Sequence, residues 1–269
     1  MKLICPVCGN ILTKTEHAFR CEKGHSFDIA RQGYVNLLTV QQKHSLNPGD
    51  TKEQVASRRE FLDAGFYAPI AQTLCRTALE LGAKGPILDV GCGEGYYSSH
   101  LAQAMDAELL GLDISKEAVR RAAGSYKNAL WLCGTAAKLP VADRSVGTLT
   151  SLFALTIPEE FRRVLEEDGL YFQVLAAQDH LLGLKNIIYP ELKFKQKDSV
   201  PSLEGFRLVR SVPIRFDFTV EGNQVQNLLS MTPHVYRITK EGAARLAATK
   251  TLRDTASCIL NVYSPTNHG

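Results

Sequence analysis

The stretch Pro86-Ile87-Leu88-Asp89-Val90-Gly91-Cys92-Gly93-Glu94-Gly95-Tyr96-Tyr97 decides the fold. Ile87 to Val90 form a short apolar strand that runs into three glycines spaced two apart, and a helical pattern follows to about Met105. Glycine tolerates positive φ and lets backbone come close to a ligand, so a glycine triplet between a strand and a helix marks a nucleotide-type turn. A second strand, Leu109-Leu110-Gly111-Leu112-Asp113, ends in an acid 22 residues after Gly91, near the ~20 expected of a carboxylate that takes ribose hydroxyls.

The alternation continues away from this centre. Ala129 to Cys133, Thr148 to Phe153 and Leu170 to Ala176 read as strands, with helices over Ser115 to Ser125 and Pro158 to Glu167. Strands alternating with helices predict an α/β domain with a mostly parallel sheet covered on both faces. Beyond Val212 the order changes to a strand at Ile214 to Val220, a helix at Glu241 to Thr249 and a last strand at Ser257 to Tyr263. That order predicts an antiparallel hairpin edge closing a seven-stranded, Rossmann-like sheet.

The triplet is G-x-G-x-G, whereas the dinucleotide fingerprint is G-x-G-x-x-G. It resembles the first motif of the Rossmann-like methyltransferases that use S-adenosylmethionine. That resemblance implies that Gly91, Gly93 and Gly95 let the backbone approach the amino-acid part of the cofactor. Asp89 then orders the turn or binds the amino group, and Asp113 takes the ribose hydroxyls. Cys92 reads as a small turn residue and not as a nucleophile.

Three of the seven cysteines fall in the first 21 residues. Cys5, Cys8, Cys21 and His25 read C-x2-C-x12-C-x3-H, two close ligand pairs joined by a loop long enough to fold back. Four ligands suit one closed, tetrahedral, structural Zn2+. Pro6 and Gly9 in the first pair, and Gly24 in the second, supply the tight backbone such knuckles need. A segment of ~40 residues buries too little apolar surface to fold alone, so metal supplies much of its stability. Cys75, Cys133 and Cys258 lie in apolar runs and read as core residues. The expected boundaries are a zinc-binding module at 1–40, to which the family resemblance given below assigns RNA recognition, a helical linker and cofactor lid at 41–84, and the Rossmann-like domain at 85–269.

Composition is that of an ordinary globular chain of 269 residues, 45% hydrophobic and 22% charged, which excludes a disordered tail, a collagen-like repeat or a rod. Ser145 to Pro158, the longest uncharged stretch of note, has 14 residues against the ~20 of a membrane-spanning helix. Met1 to Ile4 leave no room for a signal peptide before Cys5, so the expected setting is reducing and cytoplasmic, with no membrane partner. Residues 1–60 hold 9 basic and 6 acidic groups, and the rest of the chain balances, so the net charge of +3 sits wholly in the N-terminal part. A basic arm is suited to nucleic acid, although an excess this small is also ordinary surface variation.

The segment after the fourth strand, Ser151-Leu152-Phe153-Ala154-Leu155-Thr156-Ile157-Pro158, lacks the Asp/Asn-Pro-Pro-aromatic box of exocyclic-amine methyltransferases. It also lacks a cysteine for attack on a pyrimidine. Transfer to a ring nitrogen, an oxygen or a small acceptor remains, in which positioning does most of the work. Phe153 is a candidate to flank a flipped base, with a core role as the alternative. No residue declares itself the general base.

Cys5 to Cys8, Cys21 to His25 with Phe27-Asp28, Gly33 to Leu38, Pro48-Gly49-Asp50, Arg58 to Tyr67 and Gly91 to Tyr97 together resemble the RlmA family of 23S ribosomal RNA (guanine-N1)-methyltransferases. The similarity covers essentially the full length. It implies that the zinc module helps recognise an rRNA hairpin loop while the larger domain methylates one guanine in it. Some members protect the ribosome against macrolides of the tylosin type. The resemblance also places Tyr67, Gly95, Tyr96 and His180 at the cofactor or the rim of its site. A small-molecule methyltransferase with a structural zinc module is the alternative, and oligomeric state stays open. Arg58 and Arg59 are adjacent on a helix that Asp50 or Thr51 caps, so at most one faces RNA while the other pairs with Glu60. Lys193, Lys195 and Lys197 form a candidate phosphate-facing run.

Overall fold

The computed structural model describes residues 1–42, 48–192 and 198–266; Lys193, Lys195 and Lys197 lie outside the described residues. The chain opens with β1 (Thr13–Lys14), β2 (Ala18–Arg20), β3 (Ser26–Asp28) and β4 (Tyr34–Asn36), followed by α1 (Lys52–Asp63) and α2 (Ala68–Glu80). Then come β5 (Ile87–Val90), α3 (Tyr96–Met105), β6 (Leu109–Asp113), α4 (Lys116–Ser125), β7 (Ala129–Cys133) and β8 (Val146–Leu152). The chain continues through α5 (Pro158–Val164), β9 (Leu165–Ala176), α6 (Leu182–Ile188), β10 (Phe206–Glu221), α7 (Asn223–Ser230), α8 (Lys240–Ala248) and β11 (Thr251–Pro265). No helix among the described residues is long and apolar enough to cross a membrane.

β1, β2 and β3 form a small sheet of their own, and the other strands form one sheet in the order β10-β11-β9-β8-β5-β6-β7-β4. From β9 to β4 every pairing is parallel, and β11 lies antiparallel between β9 and β10. The sheet has eight strands among the described residues, not the expected seven. The addition is β4, which continues the sheet beyond β7 through the pairs Tyr34 with Trp131 and Asn36 with Cys133. It lies in the segment read from sequence as the zinc module, and three residues carry too little pattern to mark a strand.

Local chemistry explains the helix starts. Thr51 and Gln54 form a reciprocal capping box at the head of α1, and Ser115 caps α4 by accepting from the Ala118 amide. Helix α5 ends at Val164, earlier than the expected Glu167, because Leu165 already turns into β9.

Each face of the sheet has its own core. On one side Phe61, Ile70, Leu74, Leu101 and Val119 belong to a cluster contributed by α1 to α4 and continued by the C-terminal helices. On the other side no helix forms between β7 and β8. There Leu3, Cys5, Leu12, Phe19 and Cys21 share one buried cluster with Leu88, Leu110, Leu112, Leu132, Leu139 and Val141. Leu3 pairs with Val141 in an antiparallel bridge, and the Ile4 amide donates to the Pro140 carbonyl at 3.0 Å. The N-terminal module therefore covers the surface that a crossover helix would otherwise cover. Burial of large apolar side chains such as Leu3, Leu12 and Phe19 stabilises by ~1.5–3 kcal/mol each.

Cys21→Ser, which removes one expected zinc ligand, should lower the melting temperature of the whole chain in a single calorimetric transition. An early transition of the module, with the main transition unmoved, would show that the two cores are independent.

Candidate active site

The four expected metal ligands converge. Cys8 Sγ lies 3.7 Å from Cys21 Sγ, His25 Nδ1 lies 3.3 Å from Cys21 Sγ and 3.5 Å from Cys5 Sγ, and all four ligand atoms fall within 4.8 Å of one another. Zn–S bonds of ~2.3 Å in a tetrahedron put the sulfurs about 3.8 Å apart, so this donor set fits the ion as it stands. Burial raises the Cys21 thiol, but hydrogen bonding to the His25 backbone and to Cys8 brings it down to about 7, close to the thiolate form a metal needs.

A cavity of about 870 Å³ opens at the carboxyl ends of β5, β6 and β8. That is the switch point of a parallel sheet, where ligands of this fold class bind. Among its lining residues are Tyr67, Asp89, Gly91, Gly93, Tyr96, Asp113 and His180. Gly95 stands behind them.

The three glycines differ in what they face. All have positive φ, +79° at Gly91, +55° at Gly93 and +85° at Gly95. A β-carbon on Gly91 would lie 2.5 Å from Ala154 Cβ, and one on Gly95 would lie 2.4 Å from the Trp131 indole. At Gly93 the nearest atom would be Arg58 Nη1 at 3.6 Å, so its open side belongs to the cavity. Two glycines thus satisfy the protein's own packing, and one leaves room for a ligand.

Asp113 ends β6 and closes the turn. Its Oδ2 accepts from the Gly93 amide at 2.9 Å and its Oδ1 from the Ser115 amide at 2.8 Å, while the side chain remains half-buried at the cavity wall. Asp89 is buried within β5 and accepts from the Thr150 hydroxyl at 2.7 Å. Burial pushes Asp89 up to about 6 against the pull of the Thr150 and Ser98 hydroxyls. The Cys92 thiol is buried, with its Sγ 3.6 Å from the Gly93 carbonyl oxygen, which fits a turn residue.

Tyr67 is the N-cap residue of α2 and is also buried against the cavity, so the helix boundary and the site coincide. Its hydroxyl lies 3.4 Å from His180 Nε2. The Ser257 amide donates to His180 Nδ1 at 3.1 Å, which leaves the neutral ring with its proton on Nε2 as a donor toward Tyr67.

Of the adjacent pair Arg58 and Arg59, one reaches the cavity. Arg58 reaches the cavity, 2.5 Å from Asp50 Oδ2, and donates to the Met231 carbonyl at 3.4 Å. Arg59 instead pairs with Asp63 at 2.6 Å and stacks over the Tyr126 ring at 5.3 Å. The expected pair with Glu60 does not form, because neighbours in a helix do not face each other and Glu60 accepts from Asn227 on α7. Lys185, His234 and Arg237 also line the cavity, from α6 and the segment after α7. Glu94, an x position of the glycine motif, is 2% exposed, and neither carboxylate oxygen has a hydrogen-bond partner among the described residues.

Residues 3–46 match a zinc-ribbon family model described as RlmA, N-terminal, and residues 87–169 match a methyltransferase domain model. Over 206 residues the chain is 42% identical to a putative 23S rRNA (guanine-N(1)-)-methyltransferase of Micromonospora griseorubida, covering 68% of each chain. It is 40% identical over 192 residues to the 23S rRNA (guanine(748)-N(1))-methyltransferase of Streptomyces fradiae, covering 68% of this chain and 66% of that one. It is also 28% identical over 260 residues to a putative enzyme of the same type from Bacillus subtilis, covering 91% of each. Among solved structures, a putative type II methyltransferase from Anaeromyxobacter dehalogenans shares the fold with a TM-score of 0.52 at 17% identity, over 73% of this chain and 97% of that one. Cys5, Cys8, Cys21 and His25 are therefore a zinc-ribbon site, and the larger domain has the S-adenosylmethionine-dependent methyltransferase fold.

Glu94 gives the site a pH signature. Burial pushes its carboxyl up to about 7, offset in part by the charges of Arg58 and Arg59. A carboxyl raised on folding contributes stability that is full below its unfolded value of ~4.5 and is lost as pH rises through about 7. Glu94→Gln should therefore flatten the decline in thermal stability between pH 5 and 8, worth on the order of 3 kcal/mol for a shift of this size. Parallel melting curves for the variant and the native protein across that range would remove Glu94 from this role.

Proposed function

Because the chain belongs to the RlmA family of 23S rRNA (guanine-N1)-methyltransferases, we propose that its cavity holds S-adenosylmethionine against the glycine turn and that the acceptor is N1 of one guanine in a hairpin loop of 23S rRNA. The observation that carries this is the division of charge along a single cavity. Its buried wall carries Asp89 and Glu94 with Asp113 beside them, and the nearby Arg58 is paired with Asp50, while Lys185 and the exposed Arg237 also line it. An acidic interior suits a cofactor with one net positive charge more than its demethylated product. Lys185 and Arg237 suit the phosphates of an RNA.

When bound, the cofactor would supply a methyl group from its sulfonium centre and be left as the neutral thioether, while the proton displaced from N1 of the guanine would pass to water. The chain's own residues bind and orient. Asp113 has lone pairs beyond those used by the Gly93 and Ser115 amides, and these accept from ribose hydroxyls. Gly93 leaves the approach open, and the backbone of Gly134 to Ala137 lines the wall beyond Asp113, where an adenine would lie. His180 and Tyr67 orient rather than deprotonate, since Nδ1 of the histidine is held by the Ser257 amide and Nε2 carries its proton. A loop guanine costs less to extrude than a paired one, and single-stranded loops expose their base edges. The zinc ribbon and the basic excess of residues 1–60 add RNA-binding surface on the same molecule.

Two measurements test this. Protein incubated with labelled cofactor and unmodified 23S rRNA should place label in 1-methylguanosine. Label confined to a small metabolite would support the small-molecule alternative. Asp113→Asn, which removes the charge and sets its NH2 against one of the two backbone amides the carboxylate now accepts from, should weaken cofactor binding about tenfold or more, with an unchanged melting temperature separating lost ligand contacts from a disturbed turn. Unchanged affinity by calorimetry would remove Asp113 from the cofactor site.

A further inference from the structure

Phe153 follows the last residue of β8, and its backbone is left-handed, with φ of +56°. Residues with a β-carbon adopt this region rarely, and bulky ones more rarely still. Every residue of β8 is buried, yet Phe153 is 41% exposed. A loose loop does not account for it. The Phe153 amide donates to the Val174 carbonyl at 3.0 Å, and the Ser151 hydroxyl donates to the Leu155 carbonyl at 3.1 Å. The Gln173 side-chain amide donates to the Thr156 hydroxyl at 2.9 Å, and that hydroxyl also lies 2.9 Å from the Tyr171 hydroxyl. The surroundings thus fix a disfavoured backbone and leave a large apolar ring uncovered at the cavity wall. Strain held in place at such a position marks a residue that meets a ligand.

The position of the ring within the site narrows what that ligand is. Ala154, the next residue, packs directly on Gly91, so the ring stands one residue from the cofactor turn. The His180 ring lies 6.2 Å from it between centroids, with planes 30° apart, and His180 in turn meets the Tyr67 hydroxyl. Phe153 and His180, with Tyr67 behind them, make one aromatic wall. Leu155, 74% exposed, extends the apolar surface outward from Phe153. We propose that Phe153 is the platform on which the extruded acceptor guanine stacks. Methylation at N1 requires the Watson–Crick edge to stay open, and contact through the face of the base leaves that edge free. A clamp of in-plane hydrogen bonds would occupy it. This assignment rests on the guanine-N1 reaction proposed above.

The test uses the full-length zinc-loaded protein with Phe153→Asn and Phe153→Tyr. Asparagine tolerates a left-handed backbone, so the first variant removes the ring without adding strain, and tyrosine keeps the ring. Wild-type protein that labels 1-methylguanosine is the control that separates this inference from the reaction it rests on. Phe153→Asn should melt no lower than wild type and bind cofactor equally well by calorimetry. Its kcat/KM on the rRNA should fall about 5- to 150-fold, the range for losing one base–aromatic stack, and Phe153→Tyr should restore it. A fluorescent guanine analogue at the methylated position should be quenched on binding wild type and less so on binding Phe153→Asn. The platform is refuted if Phe153→Asn keeps wild-type kcat/KM. It is equally refuted if that variant loses melting temperature and cofactor affinity together, as a core residue would.

Discussion

The indole of Trp131 occupies the space that two β-carbons would need. A side chain on Gly95 would come within 2.4 Å of it and one on Gly111 within 2.3 Å, and the ring is fully buried. Its Nε1–H donates to the Tyr126 carbonyl at 2.9 Å, which fixes the indole from the far end of α4. One side chain on β7 thereby sets the distance between β6, the glycine turn and the start of α3. The turn can then present Gly93 to the cavity and its amide to Asp113. A protein interior packed at crystal-like density transmits such a constraint, because no neighbour has room to yield. The site is therefore positioned from beneath, by a residue that does not itself line the cavity.

The same turn shows how the chain accepts local cost at its site. Asp89, Glu94 and Asp113 are all raised by burial, and the cation among them, Arg58, is already paired with Asp50. Three acids in one low-dielectric wall oppose folding, and Glu94 lacks even a hydrogen bond among the described residues. A core chosen for stability alone would not contain them. Their presence is consistent with a wall built to meet positive charge, the usual reason a site departs from local rules.

Most of the central sheet was legible in the sequence because β5 to β8 and the Leu170 to Ala176 part of β9 are short runs rich in apolar residues, whereas the charged start of β9, Leu165 to Glu167, read as the end of a helix. The zinc ligands were legible from spacing alone. The edge strand β4 was not, since three residues carry no pattern and its partner β7 lies far along the chain. Nor were Lys185, His234 and Arg237, which reach the cavity from the C-terminal part of the chain through tertiary packing that leaves no local signature. The glycine motif pointed to a ligand turn, but Gly91 and Gly95 are explained by Ala154 and Trp131, partners that no motif names. Phe153 was visible as a candidate, and its left-handed backbone was not. Glu94 stood in plain sight inside the motif. Nothing in its neighbours along the chain indicated burial, because Arg58 and Arg59, whose charges oppose its desolvation, come from a separate helix.

The N-terminal module covers a sheet face whose strands follow it in the chain, and this has a consequence for biosynthesis. Tyr34–Asn36 must wait for Trp131 to Cys133 before it can pair, and Leu3, Leu12 and Phe19 must wait for Leu110, Leu112 and Leu132. At ~5–20 residues per second, the ribosome takes about 5 to 20 seconds to make the roughly 100 residues between them. Throughout that interval the leading segment has apolar side chains and no surface to place them on. Its four metal ligands are complete once His25 has emerged, long before any of β5 to β7 exists. Zinc bound at that stage would tie Cys5, Cys8, Cys21 and His25 together, while the apolar side chains of the segment still await the sheet.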